Sequence, residues 1–194
     1  MICEEITTIE TLSGIKTLKL NIVKGKVKTV EVDMGAPILE ATKIPVSSSA
    51  RSEDGKVRIE VEVKDRKIEL TCVSMGNPHA VTFVNDIKNF KVAEYGPILE
   101  NADIFPEKAN IEFVEVVDKN NIKMRVWERG SGETLACGTG ACSSVVASSL
   151  NGYTDRKVNV QLLGGNLEIE WKPNNHVHMT GPAVTVFKGE WIDE

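Results

Sequence analysis

Cys137 sits where its neighbours declare its chemistry. The run from Glu128 to Ala141 reads Glu-Arg-Gly-Ser-Gly-Glu-Thr-Leu-Ala-Cys-Gly-Thr-Gly-Ala. A flexible acidic stretch leads into a cysteine, and the Gly-Thr-Gly-Ala after it opens a segment of small residues. The first amides of a helix have no partner within it, and with the helix dipole they favour negative charge. The same surroundings lower the pKa of a thiol. Cys137 is therefore expected as a thiolate at neutral pH, able to act as base or nucleophile. The amides of Gly138 and Thr139 would hold a substrate carboxylate beside it.

The other cysteines, Cys3, Cys72 and Cys142, offer less. Their spacings match no Cys-x-x-Cys metal knuckle, and Cys142 lies among Ala and Ser inside the same small-residue segment, which reads as core packing. His176 and His178 put two imidazoles close together with no third ligand nearby, so no metal is expected. The net charge is −5, with scattered Lys and Arg and no aromatic-rich RNA-binding signature, which argues against nucleic acid as a partner. No apolar run approaches a membrane span and the first residues lack a signal-peptide pattern, so a cytoplasmic protein with free thiols is expected. At 194 residues a sizeable core can be buried.

The elements that must position Cys137 follow from periodicity. Residues 17–23 and 26–32 alternate apolar and polar on either side of Lys24-Gly25, a hairpin signal. Residues 56–63 and 67–74 repeat the pattern, which makes Cys72 a strand residue without chemistry. Further strands are expected at 80–84, 110–117, 121–128, 158–161, 167–171, 177–180 and 183–189. Helices are expected at 94–101 and 138–150, the second closed by Asn151-Gly152. Many antiparallel strands with two helices indicate an α+β fold.

Four strings occur in order along the chain: Ser74-Met-Gly-Asn-Pro-His79, Pro106-Glu-Lys-Ala-Asn-Ile-Glu-Phe113, Glu128-Arg-Gly130 and Ala136-Cys-Gly-Thr-Gly-Ala141. With the closing Met179-Thr-Gly-Pro-Ala183 they resemble diaminopimelate epimerase over nearly the whole chain. Taken singly, Asn77 and Asn110 read as turn residues, His79 as a turn cap, Glu128-Arg129 as an exposed ion pair and Glu133 as a solvated loop charge. The order and spacing lift the first five above those readings.

The resemblance implies a cofactor-independent (PLP-independent) isomerase that interconverts LL- and meso-diaminopimelate on the route to lysine and peptidoglycan. It implies two pseudo-symmetric lobes, each a barrel-like, mostly antiparallel sheet around a central helix. Each lobe supplies one cysteine, a base on one face of the α-carbon and an acid on the other. Carried over by position, Cys137 is the catalytic cysteine of the C-terminal lobe. Gly138 and Thr139 donate to the reacting carboxylate, and Asn77, Asn110 and Arg129 hold the distal end of the substrate. Glu128 contacts substrate and, with His79, tunes the cysteine. The substrate is the small-molecule partner, and a homodimer is one arrangement open to it.

The family's opposite cysteine belongs to a Cys-Gly-Asn-Gly-type segment, and Cys3 lacks the glycines. The expectation is of an N-terminally truncated chain: 1–34 a remnant of the N-terminal lobe, 35–180 the C-terminal catalytic lobe, 181–194 a strand returning toward the N-terminal lobe. Such a chain is expected to be inactive alone. Two other readings compete, a proline racemase-like enzyme and a non-catalytic substrate-binding or assembly lobe. The distal set Asn77, Asn110, Glu128 and Arg129 favours a substrate with a second amino-acid end.

Overall fold

A computed structural model of the chain describes residues 5–12, 14–47, 51–53, 56–64, 66–190 and 192. Its strands are β1 (Ile6–Thr11), β2 (Gly14–Val23), β3 (Lys26–Asp33), β4 (Arg51–Glu53), β5 (Lys56–Val63), β6 (Arg66–Ser74) and β7 (Pro78–Phe83). After helix α1 (Val92–Glu100) come β8 (Asn110–Asp118), β9 (Asn121–Glu128) and β10 (Gly132–Thr134). Helix α2 (Gly138–Leu150) precedes β11 (Lys157–Leu162), β12 (Gly165–Trp171) and β13 (Val177–Pro182).

The strands form one sheet in the order β1-β2-β3-β13-β12-β11-β9-β8-β7-β6-β5-β4, with β10 hairpinned onto β9. Pairing is antiparallel except between β7 and β8 and between β9 and β11. Those two parallel steps span the two helices, because a parallel pair needs a long crossover. The stretch from Met34 to Ile38 closes the sheet on itself. Met34 N donates to Val177 O (2.9 Å) and Val177 N to Gly35 O (2.9 Å), while Ile38 and Ser74 exchange both backbone bonds (2.8 and 3.1 Å). Strands β6 to β13 thus ring α2, which touches β6, β7, β8, β9, β11, β12 and β13.

Side-chain size explains why a helix fits there. Every residue of α2 from Gly140 to Ser148 is buried, and Ala, Ser, Cys and Gly let surrounding strands come close on all sides. Val73, Val81 and Val114 face the helix, whereas their chain neighbours Cys72, Ala80 and Phe113 point to a second core. That second core lies under α1. Strands β6 to β8 are therefore covered on both faces, and they read as continuous apolar runs rather than alternating ones.

Four elements differ from the sequence reading. Strands β1, β4 and β10 were not expected. The strand expected at 183–189 is absent: β13 ends at Pro182, and Ala183 N makes the last ladder bond, to Lys28 O (3.1 Å). Its neighbour β3 begins at Lys26 and turns away at Gly25, so the alternating residues beyond find no ladder partner among the described residues, and Val184, Val186 and Phe187 stand exposed. Cys3 lies outside the described residues.

Candidate active site

Cys137 is the N-cap of α2. Its backbone is extended (φ −140°, ψ 109°), and its Sγ accepts from Gly140 N at 3.4 Å. The residue is 7 % exposed. Thr139 Oγ1 lies 3.7 Å from the sulfur. Gly138 and Thr139 occupy the first two helical positions, where an amide has no acceptor inside the helix. An anion could dock there within reach of the thiol.

Asn77 ends the short bend between β6 and β7, and its Nδ2 donates to Thr139 Oγ1 (3.4 Å). Its Oδ1 lies 3.1 Å from His79 Nε2. His79 is buried on β7, and its Nδ1 stands 2.6 Å from Oε1 of Glu112 on the parallel neighbour β8. Glu112 was not singled out from sequence. The signal was there: a carboxylate flanked by Ile111, Phe113 and Val114 in a strand covered on both faces.

The expected lowering of the Cys137 pKa is overturned. Burial and the Glu112 carboxylate, with Glu128 behind them, push the thiol up to about 12, against the donations of Thr139 and Gly140. The helix terminus gives the sulfur one long N–H contact, while the fold removes water and brings two carboxylates near. Glu112 comes from β8, outside the run that carries the cysteine, and Glu128 from the start of that run, at the end of β9. Cys72 and Cys142, both buried in the cores, are pushed up to about 12 as well, chiefly by burial.

The remaining candidates divide. Asn77 and Arg129 line one cavity of about 500 Å³, together with Lys43, Ser74, Gly76 and Glu107. Asn110 is buried beneath it, donating to Pro78 O (3.0 Å) and accepting from Arg129 N (2.9 Å). Its side chain thus ties β7, β8 and the Arg129 backbone together. Arg129 itself is exposed and donates through Nη1 to Glu107 O (2.9 Å), with no ion pair to Glu128. Glu128 accepts from the Thr134 hydroxyl. Glu133, expected as a solvated charge, instead accepts from Arg125 Nε at 2.6 Å, both side chains half-buried. His176, just before β13, pairs with Asp33 (2.9 Å), and His178 on β13 with Glu31 (2.7 Å), both partners on β3.

The family follows from comparison with known sequences. A sequence model of diaminopimelate epimerase matches residues 71–186. A curated diaminopimelate epimerase from Methanococcus maripaludis is 55% identical over 184 residues, covering 94% of this chain and 65% of the relative. The chain belongs to the diaminopimelate epimerase family. Another member, from Acetivibrio thermocellus, is 53% identical over 191 residues, covering 96% of this chain and 66% of its own length. The chain therefore spans about 65% of the length of the curated diaminopimelate epimerases it matches. In fold it is similar to a probable proline racemase from Agrobacterium radiobacter (TM-score 0.64, 13% identity, 96% of this chain and 63% of that one). It is likewise similar to a hydroxyproline epimerase from Agrobacterium vitis (TM-score 0.61, 13% identity, 94% and 58%). At such identities these two show the fold alone.

Proposed function

We propose that residues 35–180 are the C-terminal catalytic lobe of a cofactor-independent diaminopimelate epimerase, with Cys137 transferring the α-proton on one face of the substrate. Residues 1–34 are then the end of the preceding lobe, and 181–194 the segment returning to it. The observation that carries the reading is a cysteine at the N-cap of a ring-enclosed helix, followed by two helix-terminal amides.

The chemistry follows from that placement. The substrate α-carboxylate docks on the Gly138 and Thr139 amides, where donors already face the charge that develops as the α-proton leaves. Cys137, with its pKa pushed up to about 12, is protonated at neutral pH. In this lobe it starts as the acid that delivers a proton to the carbanion; the reverse reaction needs it as the base. The cavity lined by Asn77 and Arg129 takes the distal amino-acid end, and the planar guanidinium suits its carboxylate. A proline-like substrate has nothing to place there.

Inversion needs a second group on the opposite face. Among the described residues the other cysteines, Cys72 and Cys142, are 1 % and 0 % exposed, one in the outer core and one inside α2, so neither is open to a substrate. We therefore expect no turnover from this polypeptide alone. The test follows α-hydrogen exchange of LL- and meso-diaminopimelate in deuterium oxide by NMR. The 194-residue chain is compared with a version lengthened by a matching N-terminal lobe. Exchange in the lengthened protein only, lost in Cys137→Ser, is the expected result. Exchange that survives Cys137→Ser overturns the assignment.

A further inference from the structure

Beneath Cys137 lies a buried carboxylate with an unmet need. The Glu112 side chain has no exposed surface, and its Oε2 has no hydrogen-bond partner among the described residues. An incompletely paired buried carboxylate is costly. From its other oxygen an unbroken series of contacts reaches the catalytic sulfur. Glu112 Oε1 to His79 Nδ1 is 2.6 Å, His79 Nε2 to Asn77 Oδ1 3.1 Å, Asn77 Nδ2 to Thr139 Oγ1 3.4 Å, and Thr139 Oγ1 to Cys137 Sγ 3.7 Å.

Donor and acceptor capacity gives this series a direction. With Asn77 Oδ1 facing the imidazole, His79 Nε2 must carry a hydrogen. Asn77 Nδ2 then donates to Thr139 Oγ1, which leaves the Thr139 hydroxyl hydrogen free for the Cys137 sulfur. Every donation points toward the thiol. The short Nδ1 contact to Glu112 needs one more proton, on the nitrogen or on the carboxyl, and the pair is neutral in total either way. A His79 protonated on Nδ1 alone would bare a lone pair to Asn77 and turn the amide over. Thr139 would then donate to Asn77 and offer the sulfur only an acceptor.

We propose that Glu112 is a positioning residue for Cys137: as the partner of His79 it sets the direction of the His79–Asn77–Thr139 series, and so aims the Thr139 hydroxyl at the sulfur. This rests on the acid/base role proposed above for Cys137. The titratable groups around the sulfur among the described residues are Glu112 on β8, Glu128 at the end of β9 and Cys142 in α2, with His79 on β7 behind Glu112. Of these, Glu112 alone acts both through space and through the series. Gly140 keeps the space between them open: a Cβ on it would stand 2.8 Å from Glu112 Oε1 and 3.1 Å from Cys137 Sγ.

The test uses the 194-residue chain without substrate, so it can fail while the epimerase reading stands, and the reverse. The pH dependence of iodoacetamide alkylation at Cys137 is followed by mass spectrometry in wild type, Glu112→Leu, which can neither donate to His79 nor accept from it, Thr139→Val and the double variant. Whatever the substitution does through space it does in both backgrounds, and in the Thr139→Val background that is the whole effect. With Thr139 present the same substitution also forfeits the hydroxyl donation, so the thiolate fraction should end lower, relative to that effect, by about threefold or more at fixed pH. Equal effects in both backgrounds overturn the proposal. The ¹⁵N spectrum of the His79 ring in the unaltered chain decides the matter even if a variant fails to fold. A hydrogen on Nε2 at pH 7 is expected, and a bare Nε2 refutes the series as drawn.

Discussion

His79 Nδ1 stands 2.6 Å from Glu112 Oε1, and neither side chain has any exposed surface. Removing one member of such a pair strands the other in a medium that cannot solvate it. Glu112→Ala or His79→Ala should each cost about 3–5 kcal/mol in urea unfolding. Replacing both by apolar residues of similar volume should cost much less than the sum. Additive losses would mean that the two groups do not depend on one another.

Gly140 sits where helix, sulfur and carboxylate converge. An alanine there must push Glu112 Oε1 from 2.8 Å and Cys137 Sγ from 3.1 Å. Gly140→Ala should destabilise the chain by about 1–3 kcal/mol, although alanine is the better helix former. In the lengthened protein it should also slow α-hydrogen exchange by about tenfold or more, because the thiol is moved off its line to the substrate. Unchanged exchange with unchanged stability would show that the first turn of α2 is looser than it stands here.

What the sequence revealed was whatever depends on near neighbours. The Lys24-Gly25 hairpin, the small residues of α2 and the thiol-bearing start of that helix are all local patterns. Cys137 stood out for that reason. Its pKa direction did not, because a helix terminus is local while burial and Glu112, the two largest causes, come from the packed fold. Glu112 escaped notice because β8 is covered on both faces, so alternation gives no hint of where a side chain points. Its partner His79 lies 33 residues earlier, on a strand that becomes adjacent only through a parallel crossover. The residues at 183–189 alternate as a strand should, yet a strand also needs a neighbour, and β3 stops too soon to supply one.

Helix α1 is held against the sheet at one contact that leaves no slack. A Cβ on Gly96 would fall 2.4–2.6 Å from Trp127 side-chain atoms. The indole cannot easily yield, since its Nε1 donates to the buried Glu100 at 2.8 Å, and Glu100 also accepts from Gly130 N at 3.0 Å. Gly96→Ala should therefore lose about 1–3 kcal/mol, outweighing the roughly 0.5–1 kcal/mol that alanine brings to a helix interior. Tryptophan fluorescence should shift as Trp127 moves. A more stable variant with unaltered emission would contradict this packing.

Three buried thiols weigh on stability in alkali. Cys72, Cys137 and Cys142 are each pushed up to about 12 from an ordinary 9.0, mainly because burial disfavours the thiolate. Between pH 9 and 12 the unfolded chain has released protons that the folded chain still holds. A raised folded pKa gives stability that is complete below 9 and drains away as pH climbs toward 12. Each thiol withdraws at most about 1.4 kcal/mol per pH unit over that window. Urea midpoints should thus be level from pH 7 to 8.5 on account of these groups and fall steeply above 9. Cys142→Ala removes one contributor and should make the fall visibly shallower. An equal slope in that variant would mean that Cys142 is not held as a buried thiol, and that α2 opens before its sulfur ionises.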